Sequence, residues 1–157
     1  MSLEPAGHGC GWPDGSARRI GASLSDPWPR LRPMDWKIEL VAIPVTDVDR
    51  AKAFYVDQVG LHADHDHQVS PELRFVQLTP PGSACSIVLG TGITQMPPGS
   101  QKGVQVVVED VETARCELVD HGVQASEVDV QPWGSFVYFA DPDGNTWALQ
   151  QLPPRGG

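Results

Sequence analysis

Asp47-Val48-Asp49-Arg50-Ala51 and Asp110-Val111-Glu112-Thr113-Ala114 decide how this chain folds. The two stretches share an Asp-Val-acid-x-Ala core at a spacing of 63 residues (110 − 47). Each follows a β-branched run: Leu40-Val41-Ala42-Ile43-Pro44-Val45 before the first, Val104-Gln105-Val106-Val107-Val108 before the second. In both places a strand runs into an Asp whose carboxylate can accept from the first unpaired N–H groups of a helix. Val48, Ala51 and Tyr55 recur at helical spacing and make one apolar face; Val111, Ala114 and Leu118 match them. Gly60 and Gly122 supply the left-handed residue that ends each helix.

Three short strands are predicted after each helix, near 62–68, 73–79 and 84–90, then near 124–130, 135–140 and 145–151. Pro80-Pro81-Gly82-Ser83 and Asp141-Pro142-Asp143-Gly144 are matching turns, with Pro fixing φ and Gly accepting a positive φ. Each half therefore reads βαβββ, and neither covers its own sheet. The repeat predicts an α+β fold: two tandem modules, about 36–93 and 101–152, forming a curved eight-stranded mixed sheet cup with the helices outside. Residues 99–103 belong to the linker.

The length of 157 residues suits one domain, expected over 34–157. Residues 1–33 contain five prolines and five glycines with no apolar periodicity, and are expected to form a mobile tail. Trp12, Trp28 and Trp36 are the residues by which this part could fold back. Arg18, Arg19, Arg30 and Arg32 fall in that tail, leaving the domain with seven basic and 17 acidic side chains, a net charge of −10. Such a surface is repelled by phosphate backbones and anionic lipid, which argues against nucleic-acid and membrane partners. No apolar run is long enough to span a bilayer, and the N-terminus lacks the apolar core of a secretion signal. Cys10, Cys85 and Cys116 are odd in number and form no CxxC pair, which points to a reducing cytoplasm. Cys85 and Cys116 lie in apolar segments and are expected to be buried structural thiols.

Residues 47–55 (Asp-Val-Asp-Arg-Ala-Lys-Ala-Phe-Tyr), closed by Val59-Gly60-Leu61, resemble the opening of a vicinal oxygen chelate module. The stretch 133–145, from Trp133 through Tyr138 to Asn145, is similar to the end of the second module of that family, which includes glyoxalases, bleomycin-resistance proteins and extradiol dioxygenases. The resemblance covers about 36–152. It implies a cup holding one small-molecule site, a homodimer, and, in most members, a divalent metal inside the cup.

In metal-using relatives four cup positions supply His, Glu or Gln, the donors a borderline divalent ion prefers. Aligned on the helix caps and the Pro-Asp-Gly turn, those positions fall on Leu40, Val88, Val104 and Ala148. None of these side chains coordinates a cation, so no metal and no cofactor is expected at that site. A one-residue slip would bring in Glu39 and Gln105, but would turn the apolar faces of the strands outward. His62, Asp64, His65, Asp66 and His67 form the one further cluster with ligand chemistry, and an extended chain puts His65 and His67 on one face about 7 Å apart. Solvation alone also explains these residues. His121, beside Gly122, reads as a partner of the helix C-terminus.

Strand alternation then predicts the cup lining. Leu40, Ala42, Pro44, Val104, Val106 and Val108 come from the first strands, with Phe75, Gln77, Phe136 and Tyr138 from the third. Ser86, Val88, Thr146, Ala148 and Gln150 come from the last strands. Val41, Ile43, Val45, Val107, Val137, Phe139, Trp147 and Leu149 are expected under the helices. Phe75, Gln77, Trp133, Phe136, Tyr138 and Gln150 are the candidate ligand-binding residues; no catalytic residue is assigned. A mainly apolar cup with a few amides and hydroxyls suits a neutral or aromatic small molecule. Three functions fit this reading: metal-independent binding of such a molecule, an enzyme using Tyr138 or a relocated metal, or a degenerate dimerisation domain.

Overall fold

The computed structural model describes residues 35–154, and its compact domain begins at Trp36. The expectations for residues 1–33, including Cys10, Trp12 and Trp28, lie outside the described residues. Strand β1 (Leu40–Ala42) leads to helix α1 (Val48–Ala53), which continues as a π-helical turn over Phe54–Gln58. Strands β2 (His62–Ser70), β3 (Leu73–Thr79) and β4 (Ser86–Thr91) complete the first module. The second repeats it: β5 (Val104–Val107), α2 (Val111–Asp120), β6 (Asp129–Gln131), β7 (Gly134–Ala140) and β8 (Thr146–Gln151). No helix among the described residues is long and apolar enough to cross a membrane.

The local devices are those the repeat demands. Asp47 accepts from the Arg50 N–H at 2.9 Å and Asp110 from the Thr113 N–H at 2.7 Å, each satisfying a donor the helix cannot. Gly60 and Gly122 sit at φ 88° and 86°, beyond reach of most side chains without strain. Both βα units have the same sheet order, β1-β4-β3-β2 and β5-β8-β7-β6, with the first strand parallel to the last and the others antiparallel. The eight strands thus form two four-stranded mixed sheets, one per module.

One apolar core serves both sheets. Val76, Leu78, Ile87 and Leu89 of the first join Val137, Phe139, Trp147 and Leu149 of the second. Helix α1 packs on β4 of the first sheet, and its π-helical continuation reaches the second. In its π-helical turn the Val59 N–H reaches back to the Phe54 carbonyl at 3.0 Å, so consecutive Phe54 and Tyr55 both point inward. Phe54 packs on Phe139 and Tyr55 on Trp147, with ring centroids 6.4 and 5.6 Å apart. At ~1.5–3 kcal/mol for each buried large apolar side chain, these four rings are a main cement between modules.

A buried polar network runs through that seam. The Tyr55 hydroxyl donates to Asp141 at 2.8 Å and accepts from the Trp147 indole N–H at 3.0 Å. Asn145, fully buried, donates to the Pro44 carbonyl at 2.9 Å and to Asp141 at 2.7 Å, and accepts from the Gln101 N–H at 3.1 Å. Burial, reinforced by the Asp141 charge, holds the Tyr55 hydroxyl protonated far above its ordinary range. At the other end of the helices Gln58 donates to the His121 carbonyl at 3.1 Å, and the His121 ring meets the Gln58 carbonyl. His121 thus caps its helix while tying it to the first module.

Three sequence expectations change. Strand β6 is shorter than 124–130: after an isolated bridge at Ala125, the Ser126 hydroxyl takes the Tyr138 N–H at 3.0 Å and interrupts the ladder. Cys116 is exposed and Cys85 half-buried, so neither is a core thiol. The third change, the facing of β5, bears on the site below. Gly90 shows how closely the strands of the first sheet approach, since a Cβ there would lie 1.9 Å from the Arg74 carbonyl oxygen. Gly90→Ala is therefore expected to destabilise the fold by about 2 kcal/mol or more, read as a lowered urea midpoint.

Candidate functional site

Each sheet has one face against the shared core and one open face, and strand register decides which side chains are open. In the first sheet Ala42 pairs with Val88, Gln77 with Val88, Phe75 with Gly90, and His65 and His67 with Gln77 and Phe75. In the second sheet Gln105 pairs with Ala148, Val107 with Gln150, Tyr138 with Ala148, and Phe136 with Gln150. Because both helix-bearing faces share one core, the two open faces look away from it. Gln77 and Tyr138 hold equivalent positions, but each belongs to its own open face.

The register of β5 corrects the expected lining. Val104, Val106 and Val108 pack against the core, while Val107 is 61% exposed. Gln105, not Val104, occupies the open face. The physical reason is the one polar side chain in the strand: on the core side its amide would be buried without a partner, whereas here its Nε2 donates to Gln150 Oε1 at 2.5 Å. The 63-residue repeat already contained this answer, because residue 42 plus 63 is 105. Pairing Leu40 with Val104 breaks that spacing by one.

The open face of the second sheet holds a concavity of about 410 Å³ lined by Gln105, Asp129, Gln131, Trp133, Phe136, Tyr138, Ala148 and Gln150. Ala148 and Gln150 are buried in the sheet floor. Phe136, buried at 6% exposure, and Tyr138, 44% exposed, lie two apart on β7 with parallel rings, centroids 6.1 Å apart and planes 3° from each other. Trp133 sits at the β6–β7 turn, 62% exposed, and its carbonyl accepts from Gln150 Nε2 at 3.0 Å. The chain Gln105–Gln150–Trp133 therefore ties rim to floor. Asp129 accepts from Gln131 Nε2 at 2.8 Å and stands 3.4 Å from the Tyr138 hydroxyl. Loss of solvent, then the charge of Asp129, push the Tyr138 hydroxyl above its ordinary pKa. Asp129, Gln131 and Gln105 were missed by alternation alone, since the first two lie on an irregular edge strand.

Of the expected ligand-binding residues, the structure brings Trp133, Phe136, Tyr138 and Gln150 together and leaves Phe75 and Gln77 on the first sheet. There Gln77 donates to Ser86 Oγ at 3.1 Å, and Thr79 bonds both Ser86 and Asp64. His65 and His67 do share a face, stacked with centroids 5.7 Å apart, while His62 pairs with Asp64 at 3.0 Å. Asp66 points the other way and is clamped by Arg74 and Lys52, which hold its carboxyl well below the usual range. Among the described residues no group of three or more His, Cys, Asp or Glu side chains is placed to hold a metal ion.

The family-type metal positions were tested on their chemistry. Leu40, Val88 and Ala148 are apolar, and the position that matches Leu40 at the repeat spacing of 63 is Gly103, which has no side chain to offer. A divalent ion needs several imidazole or carboxylate donors, so these residues do not fit one. A second cavity, about 400 Å³, lies by β1 and β5, lined by core-facing Val41, Ile87, Val104, Val106 and Trp147 and also by Ser86 and Gln105.

Comparison with known proteins adds to this geometry. Residues 37–149 match the profile of the Glyoxalase/Bleomycin resistance protein/Dioxygenase superfamily. The uncharacterized protein YetH of Bacillus subtilis (strain 168) is 30% identical over 119 residues, 73% of this chain and 98% of its own. The crystal structure of TnmS3, an antibiotic binding protein from Streptomyces sp. CB03234, is 36% identical, with a TM-score of 0.69 over 75% of this chain and 97% of that one. A member of the same superfamily from Sphaerobacter thermophilus DSM 20745 is 30% identical, with a TM-score of 0.67 over 74% of this chain and 97% of that one.

Proposed function

This chain belongs to the Glyoxalase/Bleomycin resistance protein/Dioxygenase superfamily, and from that premise we propose that it binds an aromatic small molecule on the open face of its second sheet, without a metal. The observation that carries the reading is the parallel Phe136–Tyr138 pair beside the exposed Trp133, above a floor of Ala148 and Gln150. Flat aromatic faces stack on flat ligands, and two amides set orientation. The antibiotic-binding relative TnmS3 supports a binding role over a catalytic one.

The site is open in a single chain, and a homodimer is the arrangement proposed to close it. The open face of the second sheet would lie opposite the first sheet of a second copy, bringing Phe75 and Gln77 to the same ligand. Exposed Leu40, Val107, Trp133 and Tyr138 on these open faces are the apolar surface such a closure would cover. With its odd cysteine count the protein is proposed to act in the cytoplasm.

Two competing readings are weaker on specific grounds. Tyr138 as an acid or base needs a pKa near neutrality, and its neighbours move it the other way. A domain serving dimerisation alone would fill its own open face, whereas this one keeps a concavity of about 410 Å³.

Calorimetric titration with 2-naphthylmethanol tests the metal-free claim. The expected affinity is unchanged after EDTA treatment and dialysis. Binding that disappears with EDTA and returns with a divalent ion would overturn it.

A further inference from the structure

The concavity on the second sheet contains one carboxylate and no basic side chain. Asp129 pairs across the strands with Phe136, so its side chain rises from the same face as the ring. One of its oxygens accepts from Gln131 at 2.8 Å; the other has only the long 3.4 Å approach of the Tyr138 hydroxyl. A carboxylate offers about four acceptor sites, so Asp129 retains capacity for a further donor. Around it stand Trp133, Phe136 and Tyr138, whose ring faces are electron-rich and attract cations.

We propose that Asp129 is the counter-ion for a protonated amine carried by the aromatic ligand, so that this face selects cationic aromatics over neutral and anionic ones. This deepens the binding reading above and rests on it. An anionic ligand would meet Asp129 with no compensating charge, at a cost that grows as the ring excludes water. An ammonium group gains the carboxylate and the π-faces together. The Asp129 carboxylate stands 3.4 Å from the Tyr138 hydroxyl, so its charge lies at the edge of the aromatic platform. The net charge of −10 on the domain adds a long-range attraction for cations, strongest at low salt.

Three probes on one naphthalene ring separate the possibilities: 2-naphthylmethylamine, protonated at neutral pH, its isostere 2-naphthylmethanol, and the anion 2-naphthoate. Each is titrated into the full chain and followed through the Trp133 indole and the Phe136 and Tyr138 ring resonances. The amine is expected to bind about tenfold more tightly than the alcohol, and the carboxylate more weakly than either. Asp129→Asn keeps a side chain able to bond Gln131 and Tyr138, and is expected to bring the amine within about twofold of the alcohol. Amine and alcohol binding alike in the unaltered protein overturns the proposed selection while leaving the binding face intact. A preference that survives Asp129→Asn removes Asp129 as its source. Failure of all three probes to shift these resonances overturns the binding face and the selection together.

Discussion

Trp133→Ala is expected to weaken binding of a planar aromatic ligand about 30-fold while leaving the unfolding free energy within about 0.5 kcal/mol of the unaltered protein. The two effects separate because of where the side chain sits. Trp133 is 62% exposed at the β6–β7 turn, and the contact it makes inward is through its carbonyl, which alanine retains. Its ring therefore contributes little to the fold. A ligand lying on Phe136 and Tyr138 would gain a third aromatic wall from it and lose solvent on that side, the setting in which interfacial tryptophans carry most energy. Titration calorimetry and urea denaturation on the same preparation supply both numbers. Equal loss of affinity and stability would mean that the ring is structural.

Tyr55→Phe has the opposite signature. The substitution removes one oxygen, fills the same volume and touches no residue of the open face. The lost hydroxyl leaves the buried Trp147 indole N–H without its acceptor and takes a charge-assisted bond from Asp141. An unpaired buried donor costs about 1–3 kcal/mol and a bond to a charged acceptor contributes about 1.5–3. A net destabilisation of about 2–4 kcal/mol is expected, because Asn145 still donates to Asp141 and limits the damage. The urea midpoint should fall with an unchanged slope. Ligand affinity, measured well below the unfolding transition, should stay within about twofold. A loss smaller than ~0.5 kcal/mol would show that the network contributes no stability.

The two modules, their helix caps and their turns were legible because local chemistry demands them. An Asp ahead of Val48 and of Val111, and glycines at 60 and 122, have no cheaper purpose than starting and stopping helices. Alternation also placed Phe139 and Trp147 under the helices and Phe136 and Tyr138 on the open face. It failed on β5, where valines at 104, 106, 107 and 108 carry no face information and only Gln105 marks a side. The repeat spacing was the better guide there. The Tyr55–Asp141–Asn145 network was not legible, because its members are distant in sequence and meet only when the modules pack. Asp129 escaped notice for a related reason: β6 is a three-residue edge strand, too short for periodicity to assign its faces.

The placement of the ligand is the central claim, and side-chain NMR shifts during titration with 2-naphthylmethanol test it most directly. The account predicts that the amide groups of Gln105 and Gln150 and the indole N–H of Trp133 shift together along one binding curve, while the Trp147 indole, buried on the other side of the sheet, stays still. Shifts confined to Trp147, Val104 and Val41, core-facing residues of the second cavity, would contradict it and move the site there.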